Sequence, residues 1–136
     1  MDLDQARTFA TSNHHAVLAS RIRDGGIQQS PVLVGVDRRG RFTVSSRETA
    51  FKTKNVHRDP WVQLCIFPDG FFGDWVVVEG RATVLSLPEA MEPLVDYYRR
   101  LSGEHDDWPG YRESMQRERR VLISIEAVRA GPDRAG

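Results

Sequence analysis

Lys52 sits in a basic segment, Ala50-Phe51-Lys52-Thr53-Lys54-Asn55-Val56-His57-Arg58-Asp59-Pro60, that follows the serine pair Ser45-Ser46. A helix N-terminus leaves backbone N–H groups unpaired and carries partial positive charge, so serine hydroxyls there, with a lysine one turn on, make a cradle for phosphate. Ser45 and Glu48 stand at the spacing of a capping box, which predicts a helix starting at Ser45 or Ser46 and running to about residue 57. Asp59-Pro60 ends it, because proline disfavours helical geometry in the residue before it. A phosphorylated cofactor is the expected occupant.

Other candidate chemistry is weaker. His14 and His15 point to opposite faces if they begin a strand, and with His57 and Asp59 they make no zinc triad, so no metal site is expected. His105, Asp106 and Asp107 read as a solvated cap or turn. Glu79, in a strand beside Gly80, reads as the structural partner of an arginine. Cys65 lies in the apolar run Val62-Gln63-Leu64-Cys65-Ile66-Phe67 and reads as a buried thiol. The chain has no Gly-x-Gly-x-x-Gly, no Walker phosphate loop and no Gly-x-Ser-x-Gly elbow. No nucleophile or acid/base pair stands out, so the catalytic side chain is unassigned. That suits redox chemistry, in which a cofactor carries the hydride and the protein positions it.

The bulk properties set the frame. A chain of 136 residues is expected to form one domain over residues 1–130, with a flexible tail over 131–136. It is small for an enzyme that must wall both a cofactor and a substrate, and a dimer would supply the missing walls. Nineteen basic and nineteen acidic residues cancel, so the net field attracts neither nucleic acid nor an anionic membrane. Any anion site must be local. The N-terminal residues lack a signal-peptide pattern, and no stretch approaches ~18 apolar residues, so a soluble cytoplasmic protein is expected.

The elements that must position these residues follow from pattern. Apolar spacing predicts a helix over 4–12; small and branched residues predict a strand over 15–23, which the turn Asp24-Gly25-Gly26 returns as a strand over 27–36. Asp37-Arg38-Arg39-Gly40 makes the next turn, into a strand over 41–45. Strands over 61–67 and 75–85 flank an aromatic loop that holds Phe71 and Phe72. Helices over 88–101 and 109–118 and a last strand over 120–128 complete the chain. About six strands in hairpins with peripheral helices argue for a mainly β, closed antiparallel barrel, because closure removes exposed edges.

The order of these pieces resembles the pyridoxamine-phosphate-oxidase-like flavin and deazaflavin proteins. The resemblance is carried by Asp24-Gly25-Gly26-Ile27-Gln28-Gln29-Ser30-Pro31-Val32, the basic segment through Asp59-Pro60, Val78-Glu79-Gly80-Arg81-Ala82 and Arg119-Arg120-Val121-Leu122-Ile123-Ser124-Ile125. Tyr98-Arg99-Arg100-Leu101-Ser102-Gly103-Glu104-His105 and Trp108 make it most similar to the small actinobacterial branch that uses coenzyme F420. The resemblance implies a six-stranded antiparallel split β-barrel and a homodimer with its cofactor at the subunit interface.

The same resemblance implies roles. The stretch from Ser45 to Asn55 would hold the phosphate end of the cofactor, Lys52 first, with Ser45, Ser46 and Asn55 beside it; Arg47 or Lys54 would reach an acidic tail. Relatives often carry arginine where Ala50 stands, so the grip is expected to be weaker or to shift onto Arg47. Gln28, Ser30, Pro31 and Val32 match the strand that lies against the ring. Trp75 would wall the pocket or fill the dimer interface. The implied function is hydride transfer from reduced coenzyme F420 to a small unsaturated or conjugated acceptor. The alternatives are an FMN-dependent oxidase or reductase, or a non-catalytic binder of deazaflavin or tetrapyrrole.

Overall fold

The computed structural model describes residues 1–133. Helix α1 (Leu3–Ser12) is set by a reciprocal cap: Asp2 Oδ1 accepts from the Gln5 N–H at 2.8 Å, and Gln5 Oε1 accepts from the Asp2 N–H at 3.0 Å. Strands β1 (His15–Arg21), β2 (Ile27–Leu33), β3 (Gly35–Val36) and β4 (Phe42–Arg47) follow, then helix α2 (Phe51–Arg58) and strands β5 (Trp61–Phe67) and β6 (Val76–Leu85). Helices α3 (Met91–Ser102) and α4 (Trp108–Arg117) form a hairpin before the long strand β7 (Arg120–Gly131).

All strands join one antiparallel sheet in the order β2-β1-β5-β6-β7-β4-β3. Its two edge strands, β2 and β3, are separated in sequence by Val34 alone, so the sheet must curl until its ends meet. The inward residues alternate along each strand; Leu18, Phe42, Val44, Leu64, Ile66, Ile123 and Ile125 are buried to within 1 % and fill the barrel. A second apolar cluster, with Leu94, Val95, Tyr111, Met115 and Leu122, seats the α3–α4 hairpin on the outside of β7.

The expected mainly β split barrel is therefore present, with seven strands in place of six. The predicted strand over 27–36 breaks at buried Val34, whose N–H turns back to the His14 carbonyl at 2.8 Å, and its last residues pair with β4 as β3. The barrel does not close through a full ladder. Among the described residues no strand pairing links β2 to β4, and this seam is the split. Strand β7 runs to Gly131 against Val77, beyond the predicted 128 and into the expected tail. Residues 134–136 lie outside the described residues.

The largest departure concerns the helix start. Ser45 and Ser46 belong to β4, facing Leu122 and Val121 of β7, and α2 begins at Phe51 with Ala50 as an N-cap that offers no side-chain bond. The Ser45–Glu48 spacing is not a capping box; the Glu48 carboxylate takes the Ser86 hydroxyl instead. Long-range strand pairing outweighs the local signal, because the ladder continues past Arg47, from the Glu48 N–H to the Arg119 carbonyl at 2.9 Å.

Candidate functional site

The seam between β2 and β4 opens into a groove of about 810 Å³. Pro31, Val32 and Leu33 form its β2 wall, Ser45 its β4 wall, and Lys52 from α2 enters beside Arg120 of β7. Tyr97 and Tyr98 of α3 with Tyr111 and Met115 of α4 roof it, and His15 and Phe67 stand at its other end. The walls are largely apolar and aromatic, with a few polar side chains set among them, as in small-molecule sites.

Tyr97 spans the split. Its hydroxyl donates to the Leu33 carbonyl on β2 at 2.7 Å, and the Ser45 backbone on β4 lies near it. Burial raises the Tyr97 phenol above its ordinary 10.0 and outweighs the opposing effects of the Ser45 backbone and the Arg120 charge, so it stays a neutral donor at physiological pH. Tyr111 donates to the Leu94 carbonyl at 2.9 Å. Burial, with the neighbouring Tyr97 second, pushes its phenol up to about 12.

The cationic end is built from two different kinds of charge. Arg120 is paired with Glu118, whose Oε1 lies 2.9 Å from its Nη2 and also accepts from Arg47 at 3.1 Å. Lys52 is half-buried, and among the described residues no carboxylate lies within 4.0 Å of its ammonium. Burial first and the Arg120 guanidinium second push Lys52 below the ordinary lysine value of 10.5. A half-buried cation without a counter-ion gains from an anionic ligand what it lost in hydration.

Of the residues singled out in the sequence, Pro31, Val32, Ser45 and Lys52 line this groove together. Ser30 is half-buried on the Val32 face of β2. Gln28 and Asn55 are tied to each other: Asn55 Nδ2 donates to Gln28 Oε1 at 2.8 Å and to Ser20 Oγ at 3.2 Å, fastening α2 to β1 and β2. Ser46 is buried beside the Thr53 hydroxyl at 2.9 Å, and Arg47 points to Glu118. Trp75 precedes β6, is 41 % exposed and is not among the groove residues. Sequence reasoning missed Tyr97, Tyr98, Tyr111, Met115 and Arg120. Met91, Leu94, Val95 and Tyr98 stand at helical spacing along α3, but nothing local tells which face looks into a seam.

Residues outside the groove have structural work. Glu79 accepts from Trp61 Nε1 at 2.7 Å and from the Arg129 guanidinium, the arginine partnership the sequence suggested. Asp107 caps α4, accepting from the Gly110 N–H at 3.0 Å. Burial raises the Cys65 thiol above its ordinary 9.0, away from the reactive thiolate. Among the described residues no three His, Cys, Asp or Glu side chains gather as metal ligands.

Known proteins share this architecture. A family model described as pyridoxamine 5'-phosphate oxidase matches residues 3–131. A conserved hypothetical protein of Mycobacterium tuberculosis superposes with a TM-score of 0.76 at 26% identity, over 96% of this chain and 82% of that one. An F420 reductase superposes with a TM-score of 0.71 at 15% identity, covering 92% and 94% of the two chains. A heme storage protein of Vibrio cholerae also gives 0.71, at 13% identity over 96% and 94%. The last two likenesses are of fold alone.

Proposed function

The chain belongs to the pyridoxamine 5'-phosphate oxidase family, and from that premise we propose that it is an oxidoreductase that binds coenzyme F420 and reduces a small unsaturated or conjugated acceptor. The observation that carries the reading is Lys52, half-buried and without a carboxylate partner, at one end of an apolar groove in the barrel split. The donor set fits a planar cofactor bearing phosphate. Lys52 and Arg120 would hold the phosphate, Ser45 would add a hydroxyl donor, and Pro31 and Val32 would pack against the ring. The deazaflavin supplies the hydride when bound. The roof of Tyr97, Tyr98, Tyr111 and Met115 excludes water from that reaction.

A second copy of the chain is part of this proposal. Ile27 and Leu33 of β2 are 52 % and 48 % exposed, and Phe71 and Phe72, in the loop before β6, are more exposed still. Light scattering is expected to give a dimer mass, and a monomer at high concentration would remove this part of the reading.

Titration of the purified chain with coenzyme F420, FMN and haem in separate experiments tests the cofactor. The expected result is saturable deazaflavin binding, followed by oxidation of the reduced cofactor by quinone or biliverdin-type acceptors. Tight FMN binding without deazaflavin binding would select the flavin oxidase or reductase. Haem binding alone would select the tetrapyrrole binder, a class that the fold also serves in the heme storage protein.

A further inference from the structure

We propose that a second pocket, on another flank of helix α3, binds a small organic oxyanion: a carboxylate or phosphate carried on an apolar body. This stands apart from the oxidoreductase reading above. The pocket encloses about 490 Å³ and shares no lining residue with the groove in the barrel split. Helix α3 serves both. Tyr97 and Tyr98 reach the groove, whereas Glu92, Asp96 and Arg100, one turn apart from each other, reach the pocket.

Strand alternation builds the floor. Ile123 and Ile125 of β7 turn into the barrel, so Leu122 and Ser124 turn outward beneath α3. Thr43 of β4 stands opposite Ser124 in the ladder and also lines the pocket. Ser124 is only 5 % exposed, yet its Oγ has no hydrogen-bond partner, the one buried side-chain atom of this kind among the described residues. A buried hydroxyl without a partner is costly to the fold, and a ligand oxygen that meets it removes the cost. Leu85, Pro93 and Leu122 supply apolar wall.

The charges around this floor favour an anion, because each carboxylate already has its own arginine. Asp37 Oδ2 lies 3.0 Å from Arg41 Nε, and Asp96 Oδ2 lies 2.7 Å from Arg100 Nε. Glu92 Oε1 lies 2.7 Å from Nη1 of Arg112, which is outside the lining. Arg38 and Arg39 line the pocket with no carboxylate partner among the described residues. They ride on a fixed turn. Asp37 Oδ1 accepts from the N–H groups of Arg39 and Arg41, each at 2.9 Å, and the Gly40 carbonyl accepts from Arg7 Nε at 2.8 Å. A guanidinium is a rigid fork of donors that matches carboxylate or phosphate oxygens two at a time. Arg38 and Arg39 would hold the head group, the apolar wall would take the body, and Ser124 Oγ would meet a ligand oxygen.

NMR titration of the full-length chain, free of cofactor, tests the site. Phenyl phosphate and benzoate carry the two head groups on the same ring; inorganic phosphate lacks the ring, and benzyl alcohol lacks the charge. Saturable shifts are expected at the backbone N–H groups of Thr43, Leu122 and Ser124 with at least one of the two aromatic anions, and the tighter of them names the head group. Replacing both Arg38→Ala and Arg39→Ala is expected to weaken that binding about tenfold or more. Ser124→Ala is expected to weaken it as well, and unchanged affinity there removes the hydroxyl from the site. Because a phosphate is also expected to find Lys52, the titration is repeated in Lys52→Met, where the shifts at Ser124 are expected to persist. Shifts confined to groove residues such as Ser45 and Tyr97, or wild-type affinity in the folded double arginine variant, overturn the proposal. Benzyl alcohol bound as tightly as the anions overturns the need for charge, and inorganic phosphate bound as tightly as phenyl phosphate overturns the apolar body.

Discussion

The Tyr97 hydroxyl donates to the Leu33 carbonyl at 2.7 Å, joining helix α3 to the free edge of strand β2. The Ser45 backbone on β4 lies near the same hydroxyl, so this side chain sits between both lips of the barrel split. Tyr97→Phe removes that bond and leaves the Leu33 carbonyl to water. The expected cost in urea unfolding is about 1 kcal/mol, the net scale of one such bond. Ligand affinity at the groove is expected to fall as well, because the seam width is no longer fixed. Titration of the variant with FMN or deazaflavin checks this, and wild-type affinity in a destabilised variant would make Tyr97 a fold residue only.

Gly80 is where β6 and β7 slip register, between Glu79 and Gly80. A Cβ built there would lie 2.3 Å from the Glu126 carbonyl oxygen and 2.9 Å from the Ala127 Cα. Both are backbone atoms of the paired strand and cannot rotate away. Gly80→Ala is therefore expected to cost about 2 to 4 kcal/mol, visible as a lower denaturant midpoint. A midpoint within error of wild type would show that the bulge can relax.

The strands and the barrel class were legible because small and branched residues and the turns Asp24-Gly25-Gly26 and Asp37-Arg38-Arg39-Gly40 are local signals. The helix start was not. Ser45 and Glu48 have the types and spacing of a cap, and only the distant partner strand, Arg120–Gly131, pulls Ser45 and Ser46 into a ladder. Groove membership was legible in part: Lys52, Ser45, Pro31 and Val32 lie together, while Asn55 and Gln28 spend their polar groups on each other. Tyr97 and Arg120 reach the seam from elements far away in sequence, so no spacing in the chain could announce them.

Glu79 gives the fold an acid sensitivity. The Trp61 Nε1–H first and the Arg129 guanidinium second hold its carboxyl below the ordinary 4.5. A carboxyl lowered in the folded state favours folding wherever it is ionised. Its contribution is complete above the unfolded value and fades as pH falls through the folded one. Glu79→Gln is expected to lower Tm at neutral pH, and the gap to wild type is expected to narrow below about 4.5. Thermal melts across that range decide it; a gap that does not depend on pH would assign the loss to packing.

Lys52 links stability to binding with opposite signs. Burial and Arg120 lower it from 10.5 in the folded chain. Below the folded value it is charged in both states, and the folded state carries the cost of a poorly hydrated cation. As pH rises through the folded value toward 10.5, the folded chain sheds the proton first and stability increases. Lys52→Met keeps the stem and deletes the charge, so it is expected to raise the Tm of the ligand-free chain at neutral pH, with the advantage fading as pH approaches 10.5. The same variant is expected to bind a phosphate-bearing cofactor more weakly by about 1 to 3 kcal/mol, the scale of a charge-assisted bond. A charge retained at a cost to the empty fold and repaid on anion binding is the signature of a ligand site. Melts and cofactor titration on one preparation test both halves, and unchanged affinity in a stabilised variant would remove Lys52 from the phosphate end.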